Sequence, residues 1–224
     1  MPNPVSDAVA SALYPVMLDL VGRPVLVVGG GAVAARKVRG LLDAGADVQV
    51  VAPEVDERIA ERVAAGTVAW AARGFVPGDV RDVPVPWAFV VAATDDPDVN
   101  AQVVTEAAAR GVWVNDTSSP GGGPAALPAV HRDGPLTVAV STGGASPATA
   151  AWLRDQVAAS LGPEHRTLVE LVADARDQAR CAGTGTGQAD WRSVLDSGML
   201  DLIRLGRISE AKERLQACLS SSSD

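Results

Sequence analysis

Apolar and polar positions along the first half of the chain switch repeatedly between two periods. The short apolar or β-branched runs Val25–Val28, Asp47–Val51, Thr67–Ala71 and Trp87–Ala93 alternate with longer segments rich in alanine and charge. The runs predict strands. The longer segments predict helices over Ala32 to Ala44, Glu54 to Ala65 and Asp98 to Arg110, with Gly45, Gly66 and Gly111 where a helix-ending glycine is favoured. Val112–Val114 reads as a short fifth strand, and Tyr14–Met17 as an extended stretch able to add an edge strand. Trp87–Ala93 (WAFVVAA) has no polar alternation, the pattern of a parallel strand buried on both faces. Together these elements predict a doubly wound α/β sheet. Arg73–Pro86 has no defensible period.

The pattern changes after residue 115. A Gly/Pro-rich loop, Asp116–Pro128, precedes Ala129–His131 and Leu136–Val140, two strand-like runs joined by Arg132-Asp133-Gly134-Pro135. Two strands with a tight turn and no helix between them predict a β-hairpin. A second glycine loop, Ser141-Thr142-Gly143-Gly144-Ala145-Ser146, then opens a helix from Pro147 to about Leu161, with Ser146 as a natural N-cap. From Pro163 the chain reads as helix, interrupted over Ala182–Gly187 and ending in a polar tail. The expected division is 1–115, 116–146 and 147–224.

Composition narrows the class. A net charge of −8 argues against nucleic acid and anionic membrane surfaces as partners, though a local arginine cluster still suits an acidic small substrate. No apolar run reaches the roughly 18 residues that span a bilayer, and the N-terminal segment lacks the basic start of a signal peptide, so a cytoplasmic protein is expected. Cys181 and Cys218 are far apart and have no metal-ligand spacing.

Candidate chemistry centres on Pro24–Lys37, PVLVVGGGAVAARK, in which Gly29, Gly31 and Ala34 form G-x-G-x-x-A between a strand and a helix. In the Rossmann type of sheet the first glycine permits the turn, the second admits a pyrophosphate, and the small third residue lets helix pack on strand. Free N–H groups at the helix start favour that anion. An acid normally meets the ribose at the end of the second strand, and Glu54 is the nearest one. Its competing role is a first-turn helix carboxylate. No arginine follows immediately to hold a 2′-phosphate, which favours NAD. Thr94 and Asp95, at the end of the fourth strand, lie at the carboxyl edge where ligands of open α/β sheets bind, while Asp96 reads as a helix cap. The Ser141–Ser146 loop suits a carboxylate ligand, with Arg36, Lys37, Arg39, Arg132 and Arg154 as possible clamps. His131 is a lone histidine ending a strand, a position more often structural than catalytic.

VVGGGAVAARK, AATDDPDVN, VND and AVSTGGASP, in this order and at this spacing, resemble the precorrin-2 dehydrogenase and sirohydrochlorin ferrochelatase module of siroheme synthases, over roughly Tyr14 to Leu161. The resemblance implies a homodimer built from an NAD-binding domain, a β-containing dimerisation region and a helical domain. It implies that NAD⁺ takes a hydride from precorrin-2, a tetrapyrrole, with loss of a proton, to give sirohydrochlorin for siroheme or cobalamin; bifunctional members then insert Fe²⁺. Cofactor contacts would fall at Gly29, Gly30, Gly31, Ala32, Val33, Pro53 and Glu54, together with Thr94 and Asp95. Substrate contacts would fall at Asn115, Ser141, Thr142, Gly143 and Gly144. The sequence ends before the methyltransferase domain of the trifunctional fusions, so another protein is expected to supply the substrate.

The chain departs from that family at one position. Where many members carry a general-base Asp, aligning Asn115 and Pro120 places Ser118. A serine hydroxyl needs a base beside it, and Asp116, two residues away, is on the same side if the backbone is extended. Catalysis is therefore assigned to Asp116 and Ser118, with dehydrogenation expected to survive better than chelation. Competing readings are an NAD-sensing regulatory module, a chelatase-only member that has lost dehydrogenation, and a non-catalytic scaffold.

Overall fold

The computed structural model describes residues 13–118, 123–181 and 191–221. Ser119, Pro120, the Ala182–Gly187 interruption, the Cys218 side chain and the end of the polar tail lie outside the described structure. The described chain forms two compact units, residues 1–127 with 142–146, and residues 128–141 with 147–224.

The first unit is a five-stranded parallel sheet. Its strands are β1 (Pro24–Val28), β2 (Asp47–Ala52), β3 (Val68–Ala72), β4 (Phe89–Ala92) and β5 (Val114–Asp116), in the order β3-β2-β1-β4-β5. The chain crosses over between β1 and β4, so the strand order reverses there. Successive residues of each strand face opposite sides. Val25, Val27, Val48, Val50, Phe89 and Val91 therefore form one core with Ala34, Ala35 and Val38 of α1 (Ala32–Leu42) and Ile59 of α2 (Glu57–Ala64). Leu26, Val28, Val51, Val90, Ala92 and Val114 form the other with Val80 of α3 (Gly78–Arg81) and Val103 and Ala107 of α4 (Pro97–Ala109). Helices cover both faces, which is why the central strands carry no polar alternation.

Several boundaries differ from the sequence reading, each for a local reason. Tyr14–Met17 form no strand; Pro15 lacks a donor and the segment is exposed. Helix α2 starts at Glu57, because Asp56 caps it and Pro53–Val55 stay as a loop against the glycine turn. The aperiodic stretch Arg73–Pro86 is organised by the buried Asp79, which takes Arg73 Nη1 at 2.8 Å, Arg73 Nη2 at 2.5 Å and Val76 N–H at 2.9 Å. Trp87 leaves the strand register to donate its indole N–H to the Asp79 carbonyl at 2.8 Å, so β4 begins two residues later. The fifth strand is shifted forward to Val114–Asp116 by the pairing of Val90 with Val114.

In the second unit, β6 (Ala129–Asp133) and β7 (Leu136–Val140) form the expected antiparallel hairpin, and α5 (Pro147–Ala159) packs on it. Helices α6 (Pro163–Cys181), α7 (Trp191–Asp196), α8 (Met199–Arg204) and α9 (Ile208–Ser221) follow. Leu171, Ala175, Met199, Leu202, Ile203, Ala211 and Leu215 from α6, α8 and α9 make a separate core.

Candidate functional site at the carboxyl edge of the sheet

The carboxyl ends of β1, β2, β4 and β5 carry most of the residues singled out from sequence. After β1, Gly29 has φ +121°, which L side chains rarely adopt, and a Cβ there would collide with the Ala93 carbonyl. A Cβ on Gly30 would collide with the Glu54 carbonyl. Gly31 is different. Its φ of −77° and ψ of −173° suit any residue, and a Cβ there meets nothing within 4 Å. The chain itself needs the first two glycines, and the third keeps open space at the start of α1. That start has no side-chain cap and no acid in its first turn, so the N–H groups of Ala32 and Val33 have no partner within the helix. Ala34, the small residue of the motif, is fully buried. An anion therefore fits beside Gly31, with N–H donors, a positive helix end and no side chain in the way.

Pro53 and Glu54 are exposed in the loop after β2, so Glu54 has no first-turn helix role. This loop is tied to the glycine turn by the Asp56 N–H, which donates to the Gly30 carbonyl at 2.8 Å. After β4, buried Asn100 closes the turn. Its Oδ1 accepts from Thr94 N–H at 3.1 Å and Thr94 Oγ1 at 2.8 Å, and its Nδ2 donates to the Thr94 carbonyl at 3.1 Å. Asp96 caps α4, as expected, and Asp95 is exposed beside it. Asn100 is a site-shaping residue that the sequence reading placed after the fourth strand but gave no role. An Asn at this offset after A-T is the signal that pointed to it.

At the end of β5, Asp116 Oδ1 accepts from Ser118 N–H at 2.8 Å and from Ser118 Oγ at 2.6 Å. The two candidate catalytic side chains thus touch, and among the described residues Oδ2 has no partner. Asn115 is buried and its amide donates to the Ala125 carbonyl at 2.8 Å, tying the returning chain to the strand. In the second glycine loop, Thr142 Oγ1 donates to the Ser146 carbonyl at 3.1 Å and accepts from Ser146 N–H at 3.1 Å, while Gly143 and Gly144 have φ of +62° and +87°. Thr142–Ser146 group with the sheet unit, whereas Ser141 groups with the hairpin.

The arginine candidates divide. Arg154 is paired with neighbouring Asp155 at 2.6 Å. Arg36, Arg39 and Arg132 are exposed. Lys37 is half-buried, and desolvation, with Arg36 beside it, lowers its pKa from the usual lysine value. His131 lies in β6, opposite Val138, away from the sheet edge in sequence and in unit.

A family model described as NAD(P)-binding matches residues 16–129, and one described as sirohaem biosynthesis protein central matches residues 133–160. The solved structure of "SirC, precorrin-2 dehydrogenase" is 30% identical, with a TM-score of 0.70 over 92% of this chain and 98% of that one. The chain belongs to the siroheme synthase family. Among its relatives, siroheme synthase 3 of Aeromonas hydrophila is 39% identical over 83% of this chain and 39% of its own length. Siroheme synthase of Pseudomonas entomophila is 37% identical over 91% of this chain and 43% of its own. The chain thus spans about two fifths of the length of these relatives.

Proposed function

We propose that this chain is an NAD-dependent precorrin-2 dehydrogenase that forms sirohydrochlorin. The observation that carries the reading is the gathering, along one sheet edge, of a turn kept open at Gly31 and an acid, Asp116, whose Oδ2 has no partner among the described residues. When bound, NAD⁺ supplies the hydride acceptor. Ala32 and Val33 N–H would hold its pyrophosphate, Pro53 and Glu54 would meet the adenosine ribose, and Thr94 and Asp95 would line the edge between the two strands where the order reverses. Asp116 takes the proton lost from the macrocycle through Oδ2, while Ser118 holds Oδ1 in place through its hydroxyl and N–H. Asn115, Ser141, Thr142, Gly143 and Gly144 are assigned to the substrate side, where main-chain N–H groups and hydroxyls match its carboxylates.

The reading includes a homodimer, supported by the apolar side chains that α5 leaves exposed, and a cytoplasmic location, where the dinucleotide pool lies. It assigns dinucleotide binding to 1–115, dimerisation to 116–146 and a helical domain to 147–224. The test is anaerobic turnover of precorrin-2 with NAD⁺, followed spectrally, with Fe²⁺ or Co²⁺ added afterwards. Asp116→Asn is expected to lower kcat by about 100-fold or more and Ser118→Ala by less, as befits loss of a proton acceptor against loss of its orienting partner. Equal effects overturn the assignment of the base. Untouched precorrin-2 with retained NAD⁺ binding overturns the dehydrogenase reading in favour of a sensing module.

A further inference from the structure

The loop after β2 is fixed to the glycine turn by main chain. Asp56 N–H donates to the Gly30 carbonyl at 2.8 Å, and the Glu54 carbonyl occupies the space where a Gly30 side chain would go. A ligand seated beside Gly31 therefore has residues 53–56 as a fixed neighbour. Arg58 is the first basic residue after β2. Its guanidinium is spent on Asp56, with Nε to Oδ1 at 2.8 Å and Nη2 to Oδ2 at 2.9 Å, and the Arg58 N–H donates to the same carboxylate at 3.0 Å. These bonds, from the side chain first and the N–H second, hold the Asp56 pKa down at about 2, so the clasp is charged throughout the physiological range. Glu54, Asp56 and Glu57 stand against the single charge of Arg58 in this five-residue stretch.

We propose that Asp56 is the specificity-determining residue that excludes a 2′-phosphorylated dinucleotide. By clasping Arg58 it withholds the first cation after β2 from a 2′-phosphate and keeps this corner of the edge negative. A ribose bearing two hydroxyls is accepted beside Glu54, and a dianionic phosphate is repelled. The proposal rests on the dinucleotide reading above and adds the residue that selects between its two forms.

The test is calorimetric titration of the full chain with NAD⁺ and with NADP⁺. Asp56→Asn removes the charge but keeps an N-cap acceptor for the Arg58 N–H, and Asp56→Ser, which also caps, makes the same change with a different side chain. Each is expected to shift the ratio of the two dissociation constants toward NADP⁺ by about two- to fivefold, the scale of one surface charge contact. Adding Arg58→Ala to either variant should cancel the shift. An unchanged ratio in both variants, or a shift that survives loss of Arg58, overturns the role of Asp56 while the dinucleotide reading stands. If the unaltered chain binds neither dinucleotide, that reading fails, and the proposal fails with it.

Discussion

The sheet unit and the hairpin of the second unit use their apolar residues in opposite ways. Val25, Leu26, Val27, Val90 and Val91 are wholly buried, sealed on both faces by helices of the same unit. β6 and β7 contain no buried residue, and α5 buries Ala150 while exposing Trp152, Leu153 and Val157. The same residue types thus complete a core in one region and remain uncovered in the other. Atomic positioning, which the candidate chemistry needs, sits on the self-sufficient sheet. The hairpin and α5 present the kind of surface that a second copy would cover.

The comparison is tested most severely at two adjacent glycines. Gly30→Ala drives a methyl into the Glu54 carbonyl and is expected to cost the sheet unit about 3 kcal/mol or more. Gly31→Ala, one residue along, should leave the denaturation midpoint within about 0.5 kcal/mol while dinucleotide binding is lost. Equal stability losses would mean that Gly31 also serves the fold. Asp79→Ala comes next, at about 2 kcal/mol, because it strands the Val76 N–H and removes the clasp that orders Arg73–Pro86.

Burial alone would raise the Asp79 pKa, but the hydrogen bonds from Arg73 and Val76 and the Arg73 charge outweigh it and lower the value. A lowered folded pKa stabilises above the usual aspartate range and ceases to do so as pH falls through it. The difference between the parent chain and Asp79→Ala should therefore narrow in acid, below about pH 4, in thermal melts over a pH series. Trp152→Glu, like Gly31→Ala, is expected to change sheet stability by no more than about 0.5 kcal/mol, and to halve the mass by light scattering. A monomeric parent chain would remove the reason given for the exposed α5 face.

Much of the sheet unit was legible in sequence because its signals are local. The β-branched runs, the glycine that follows each helix and the Asp96 cap of α4 all act within a few residues. Glu54 was less legible, since its place outside α2 depends on the packing of its carbonyl against Gly30, a residue distant in sequence. An approach of Asp116 and Ser118 was anticipated on condition of an extended backbone, but the chain bends at Thr117–Ser118 after β5 and the contact is made across that bend. Its hydrogen bonds, and the use of Asn115 on Ala125, required the fold of the returning chain. Arg73–Pro86 was illegible because one buried acid, rather than any period, organises it.

By itself, the sequence determined the doubly wound class, the glycine turn, the hairpin and the residues that resemble the family's site. These follow from periodicity, chirality and conformational preferences, which act over short stretches of chain. Tertiary structure alone decided which glycines the chain itself requires and which has open space beside it, and that Asp56 holds Arg58. It also decided that Asn100 locks Thr94 and that α5 keeps an uncovered apolar face. Each of these depends on which atoms meet after the strands assemble, and a linear pattern carries no record of those meetings.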